Sequence, residues 1–146
     1  MSLEKIEMDL KAAMKEKNEI KLGTLRMLKA AIKNKEIDKK QPLTETEILD
    51  VIQKQVKQRK DSMTEFEKAG REDLLKKEKA ETEILLQYLP QQLNEAELKT
   101  IIEKAIQNTG AKTKADIGKI MKEVMPQIAG RSDGKQVNLI VSQLLQ

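Results

Sequence analysis

The chain contains no cysteine, no histidine and no tryptophan, and one tyrosine and one phenylalanine among its 146 residues. The missing cysteine excludes disulfides and thiol chemistry. The missing histidine removes the commonest metal ligand and the commonest general base. Ser2, Ser62, Ser132 and Ser142 therefore have no imidazole to activate them. No acidic loop has the EF-hand spacing, so neither a metal site nor a cofactor site nor a catalytic set is expected. Three prolines and six glycines are too few for a turn-rich β protein. No apolar run approaches the ~20 residues that span a bilayer, and the N-terminus lacks a signal-peptide core. These absences lead to the expectation of a cytoplasmic protein with no membrane partner.

What is present is charge, at 36% of residues, interleaved with Leu, Ile, Val, Met and Ala at three- and four-residue spacing. That interleaving argues for folded amphipathic helices rather than disorder, and the fold class it predicts is all-α. The 28 basic and 24 acidic residues leave a net charge of +4. This balance permits contact with nucleic acid without demanding it.

Taken in order, Leu3, Ile6, Leu10 and Ala13 share one face of a first helix, with Ser2 as its candidate cap. A charged bend at Lys15–Glu19 precedes a second helix, buried through Leu22, Leu25, Leu28, Ala31 and Ile32. Gln41-Pro42-Leu43 breaks it, and Thr44 with Glu47 forms a capping box for a long third helix. Between Lys15 and Lys60 there are 13 basic and 7 acidic residues, read either as a solvated face or as an anion-facing one. Pro90-Gln91-Gln92-Leu93 marks a boundary. It predicts two helical subdomains: a larger N-terminal bundle, residues 1–90, and a small C-terminal three-helix unit, residues 91–146. In the second, Asn94, Thr113 and Asp133 are the expected caps, Thr109-Gly110 ends one helix, and Pro126 is expected beyond the end of the next.

The N-terminal bundle centres on a helical hairpin. Ala69-Gly70-Arg71 is the turn, with Gly70 placed to take the left-handed conformation that ends helices, and Pro90 stops the second arm after Leu89. Folding at Gly70 pairs residues whose numbers sum to about 140, the register such a turn imposes. Phe66 then faces Leu74, Ser62 faces Glu78, Arg59 faces Glu81, and Ile52 faces Tyr88. The polar members of the two stripes meet, which predicts a charge pair of Arg59 with Glu78 or Glu81. One reading is a pair that fixes register; the other is an acid/base site. A carboxylate beside an always-charged guanidinium is held ionised and is a poor proton shuttle, which favours the first.

The candidate functional surface lies in the C-terminal unit. From Asn108 onward there are 6 basic and 3 acidic residues. Lys112, Lys114, Lys119 and Lys122 lie on or beside one helix. Arg131 and Lys135 flank the loop Gly130-Arg131-Ser132-Asp133-Gly134-Lys135 at a helix N-terminus, where free backbone N–H groups attract phosphate. Asp133 competes for those N–H groups as a cap. The loop has neither the spacing nor the preceding strand of a Walker motif. The six cations are read either as a solvated face or as phosphate contacts on structured RNA, while the lack of aromatic residues here argues against reading single-stranded bases.

Three ordered segments carry a resemblance. They are Arg26-Met27-Leu28-Lys29-Ala30-Ala31-Ile32-Lys33-Asn34-Lys35-Glu36-Ile37; the hairpin residues Arg59, Ser62, Phe66, Ala69-Gly70-Arg71, Asp73-Leu74, Glu78, Glu81 and Tyr88-Leu89-Pro90; and Ile117-Gly118-Lys119-Ile120-Met121 through Gly130–Lys135 to Val137-Asn138. Together they resemble the YqeY family, small bacterial proteins related to the tail of the B subunit of glutamyl-tRNA amidotransferase. The family usually shows Ala at the position of Ser132. The resemblance implies two all-α subdomains and a tail that helps hold tRNA while separate catalytic parts amidate the attached amino acid. It also implies association with carbon–nitrogen ligase activity using glutamine as amide donor. Only the tail-like region is present, so the expectation is a tRNA- or RNA-binding accessory protein without catalytic machinery. The alternative is a subunit that docks on an amidotransferase or another tRNA-linked enzyme.

Overall fold

The computed structural model describes residues 2–145, and among them every regular element is helical. The elements are α1 (Ser2–Glu16), α2 (Glu19–Lys39), α3 (Glu45–Lys68), α4 (Glu72–Leu86), α5 (Glu95–Thr109), a 3-10 turn (Lys114–Asp116), α6 (Ile117–Ile128) and α7 (Gly134–Leu144). The all-α expectation holds. The chain divides into two compact units, Met1–Pro90 and Gln91–Gln146.

The first unit is α1–α4 around one core of Ile6, Leu25, Leu28, Ile32, Leu43, Ile48, Val51, Ile52, Val56, Leu85 and Tyr88. Local sequence sets most of its corners. Asn18 caps α2 through its side chain, which accepts from Lys21 N. Lys40 ends that helix in the left-handed region at φ 61°. The Thr44–Glu47 capping box forms as expected. Lys39 adds an ion pair to Glu47. The side-chain hydrogen bond from Lys39, then the backbone N–H of Thr44, hold the Glu47 carboxyl down at about 2.

Two expectations at helix ends are corrected. Ser2 lies within α1, and its backbone N and its Oγ donate to the Glu45 carboxylate rather than capping its own helix. The carboxylate at the start of α3 accepts from both donors, so the Ser2 hydroxyl proton is directed to Glu45 across the bundle. The second arm of the hairpin ends at Leu86, not Leu89. Pro90 pushes its preceding residue away from helical dihedrals. The chain therefore leaves α4 by i→i−3 bonds, from Tyr88 N to Leu85 O and from Leu89 N to Leu86 O. That exit seats Tyr88 in the core, with its hydroxyl donating to Asp9 Oδ2 at 2.5 Å and Lys5 Nζ 5.4 Å from its ring centroid. Desolvation first, and then the Asp9 carboxylate, push the phenol well above its usual pKa.

The hairpin turns at Gly70 (φ 70°), as its position required. Arg59 is buried, at 8% exposure, in the seam between α3 and α4. Its guanidinium donates to Glu78 Oε2 at 3.2 Å and also to Glu81 Oε2, so the expected pair is a triad. The Sδ of Met27 on α2 lies 3.9 Å from its other terminal nitrogen. One guanidinium thus joins both arms of the hairpin.

The second unit has its own core of Leu98, Ile102, Ala105, Ala111, Ile120, Val124, Ile128, Val137, Ile140, Val141 and Leu145. Asn94 caps α5, accepting from Glu97 N at 2.8 Å. Pro126 was expected outside α6 but lies within it. A proline lacks the N–H that would bond to the carbonyl four residues back. The loss is tolerated in the last turn because burial of Ile128 anchors the end of the helix. Beyond it, the segment entering the unit is laced to the turn before α7. Leu93 N donates to Arg131 O at 2.9 Å, Gln92 Nε2 to Gly130 O at 2.7 Å, and Arg131 Nε to Gln91 O at 3.0 Å.

Arg59→Ala leaves two carboxylates facing each other in a mostly buried seam and should lower unfolding free energy by ~3 kcal/mol in urea titrations. Lys60→Ala, one residue away and exposed, should change it by less than ~0.5 kcal/mol. Glu47 is bound more tightly as a carboxylate in the folded state, so its contribution is present above pH 4.5 and lost as pH falls toward 2. The urea midpoint of Glu47→Gln should accordingly fall less than that of the parent over this window. Arg131→Lys removes the planar donor pair; hydrogen exchange at Leu93 should accelerate roughly fivefold, matching a hydrogen bond worth ~1 kcal/mol.

Candidate nucleic-acid interface

The six cations singled out in the sequence fall into two groups. The first gathers at the entrance to α6. Lys112 follows the end of α5, Lys114 opens the 3-10 turn, and Lys119 and Lys122 lie one turn apart on α6; all four are exposed. Asp116 organises them. Its Oδ2 accepts from Lys112 N at 3.2 Å and Thr113 N at 3.5 Å, and its Oδ1 lies 3.8 Å from Lys119 Nζ. The two backbone N–H groups, of Lys112 and then Thr113, hold its carboxyl below the ordinary range, with a smaller contribution from Lys119. One carboxylate therefore fixes the path of the loop and draws one ammonium group, that of Lys119, while Lys112, Lys114 and Lys122 are exposed on neighbouring positions of the same loop and helix. Glu123, on α6, accepts from Asn108 Nδ2 at 3.1 Å.

The second group lies where α6 gives way to α7. α6 has 12 residues, a length of ~18 Å at the helical rise. Lys135 is exposed in the first turn of α7. Arg131 is half-buried, and its guanidinium is engaged by Gln91 O and, at 3.4 Å through Nη1, by Gln127 O. It ties chain segments together by satisfying carbonyls at a helix end. At the α7 N-terminus, Asp133 Oδ1 accepts from Lys135 N at 3.1 Å. The cap therefore occupies the N–H groups to which a phosphate would otherwise be drawn.

Arg59, Glu78 and Glu81 lie in the first unit, as a structural triad. Sequence reasoning missed the role of Asp116 as the fixed centre of the lysine group, although the spacing Thr113-x-x-Asp116 ahead of an apolar run carried the signal. It also missed the Arg131–Gln91 tie, for which a separation of 40 residues leaves no local trace. No group of acidic side chains with the geometry to hold a metal ion occurs among the described residues.

Comparison with known proteins adds relatives of two kinds of coverage. A protein of Pyrenophora tritici-repentis named "Altered inheritance of mitochondria protein 41, mitochondrial" is 34% identical over 132 residues, 89% of this chain and 72% of the relative. A Saccharomyces cerevisiae protein of the same name is 38% identical over 128 residues, 85% of this chain and 68% of the relative. In Lachancea thermotolerans the matching protein of that name is 43% identical over 91 residues, and the match spans 49% of its length. These names overturn the cytoplasmic expectation. The physical reason is plain: that no helix among the described residues is long and apolar enough to cross a membrane says nothing about which compartment a helical protein occupies. The family model described as "Yqey-like protein" matches from residue 3 to residue 145, through both units and all three segments that carried the resemblance, and the chain belongs to the YqeY family.

Proposed function

We propose that the chain is an RNA-binding accessory protein, with tRNA as the expected ligand, that contacts phosphates through Lys112, Lys114, Lys119 and Lys122. Lys135 extends the contact from the start of α7, and Arg131 supports it by holding the turn rather than by touching RNA. The observation that carries the reading is the run of four exposed lysines on the loop, the 3-10 turn and the first turns of α6, with a single carboxylate, Asp116, near one of them. Asp116, held as the anion by two backbone N–H groups, offsets one of the four positive charges and leaves the other three. Such an array recognises a regular backbone of negative charge and carries little base information. The absence of aromatic side chains from this unit favours duplex or folded RNA over stacked single strands. No catalysis is assigned to the chain. The glutamine-dependent carbon–nitrogen ligase activity that goes with the amidotransferase resemblance belongs, on this reading, to separate catalytic subunits.

The test is binding of the full chain to tRNA by fluorescence anisotropy between 50 and 200 mM salt. If the four lysines each neutralise about one phosphate, the slope of log K against log salt should be about −3 to −4. Reversing all four to Glu should abolish binding and leave the thermal transition in place. Reversing the exposed Lys99 and Lys104 on α5 should cost less than about threefold. Equal binding by the parent and the fourfold variant would reject this surface.

A further inference from the structure

Helix α2 is apolar on two sides. One side, with Thr24, Leu25, Leu28 and Ile32, is buried in the first unit. The other side carries Ile20, Gly23, Met27, Ala30, Asn34 and Ile37, and all six are exposed. Ile20 is 46% exposed, Met27 59% and Ile37 71%. Their spacing is 3, 4, 3, 4, 3. That is the a/d spacing of a coiled-coil seam, with Asn34 at an a position, where a polar residue sets register. A helix needs one apolar stripe to pack on its own core; the second stripe is left mostly uncovered in this unit, with Met27 touching Arg59 from one side.

Gly23 gives an independent indication. Glycine inside a helix is less stable than alanine. Here a Cβ would meet nothing within 4 Å, so the chain's own packing does not require its absence. A missing side chain on an open helix face allows another backbone to come close. Ala30, seven residues on, does the same one heptad later. Met27 between them is an adaptable filler, and its sulfur is steadied against Arg59.

Charge decides the occupant. One edge of the seam carries Glu19, Arg26 and Lys33 at seven-residue intervals within α2, with Lys40 following at its left-handed cap; all four are exposed, and the middle of the edge is basic. Lys29 is paired with Glu7, and Lys39 with Glu47. Arg26, Lys33 and Lys40 have no carboxylate partner among the described residues. A second copy packed antiparallel on this face would set Arg26 of one chain beside Lys33 of the other, a like-charge contact. Nucleic acid would bring phosphates to the basic edge but leave Ile20, Met27 and Ile37 uncovered. We propose that the outward face of α2 is a docking seam for an amphipathic helix of a partner protein, its apolar stripe bordered by Asp and Glu. The seam from Ile20 to Ile37 is ~25 Å long, which matches about five turns of the incoming helix. This proposal concerns the first unit and stands apart from the RNA reading, which uses the second.

The test uses the full chain and two synthetic helical peptides of about 21 residues, with identical Leu and Ile at a and d. One carries Glu at its flanking positions and the other Lys. Anisotropy should show the Glu-flanked peptide binding at least tenfold more tightly than the Lys-flanked one. Ala30→Glu and Met27→Glu, both on exposed positions, should each weaken it tenfold or more with an unchanged circular dichroism spectrum. The double change Arg26→Glu with Lys33→Glu should invert the preference between the two peptides. Binding of both peptides with equal affinity, or failure of the preference to invert, overturns the proposal. So does a concentration-dependent dimer in sedimentation that Met27→Glu dissolves, which assigns the face to a second copy. Loss of tRNA binding in the Arg26/Lys33 variant with no change in peptide binding assigns it to nucleic acid. Failure of tRNA to respond to Lys112, Lys114, Lys119 and Lys122 bears only on the RNA reading.

Discussion

A single guanidinium, held between two carboxylates from another helix, fixes how the N-terminal unit is put together. Arg59 reaches Glu78 and Glu81 from the opposite arm of the hairpin and rests against the sulfur of Met27. Taking the charge out of water is expensive, and the two acceptors offset that cost only in one register. A slip of one residue along either helix would turn these side chains away from one another. The apolar contacts of the core, made by interchangeable Leu, Ile and Val, tolerate such slips far better. In a chain with almost no aromatic residues to key its interior, the directional part of the packing falls to charge.

This explains which parts of the molecule could be read in advance. The hairpin register was legible because one local event, the left-handed Gly70, sets every pairing on either side of it. Caps at Thr44 and Asn94 were legible for the same reason, since each is decided within four residues. Ser2 with Glu45, Tyr88 with Asp9, and Arg131 with Gln91 were not. Each joins distant segments through a polar contact whose existence depends on how helices cross, and hydrophobic periodicity carries no record of that. Pro126 was misplaced because a local rule about proline was applied without the counterweight of a buried Ile128 two residues later.

The candidate surface shows the same division. The lysines were visible as a local excess of base, and Asp116 holds the loop that carries them through the backbone of Lys112 and the ammonium of Lys119. Arg131 has the composition of a phosphate ligand and the surroundings of a tie, because its planar donors are matched to carbonyls at a helix end. Residue type proposes a chemistry, and hydrogen-bond partners decide whether the side chain is available for it. On α2 the reverse holds. Its second apolar stripe shows itself only when exposure separates the residues that pack from those that do not.

The placement of Tyr88 has a practical corollary. It is the sole tyrosine, it is buried in the first unit against Asp9, and the stretch from Gln91 onward contains no aromatic residue at all. Ultraviolet emission from this protein is therefore a one-sided optical probe, sensitive to melting of the N-terminal unit and blind to the other. Recorded beside backbone ellipticity, which senses helices in both, it separates the two melting events in an unlabelled, unmutated sample.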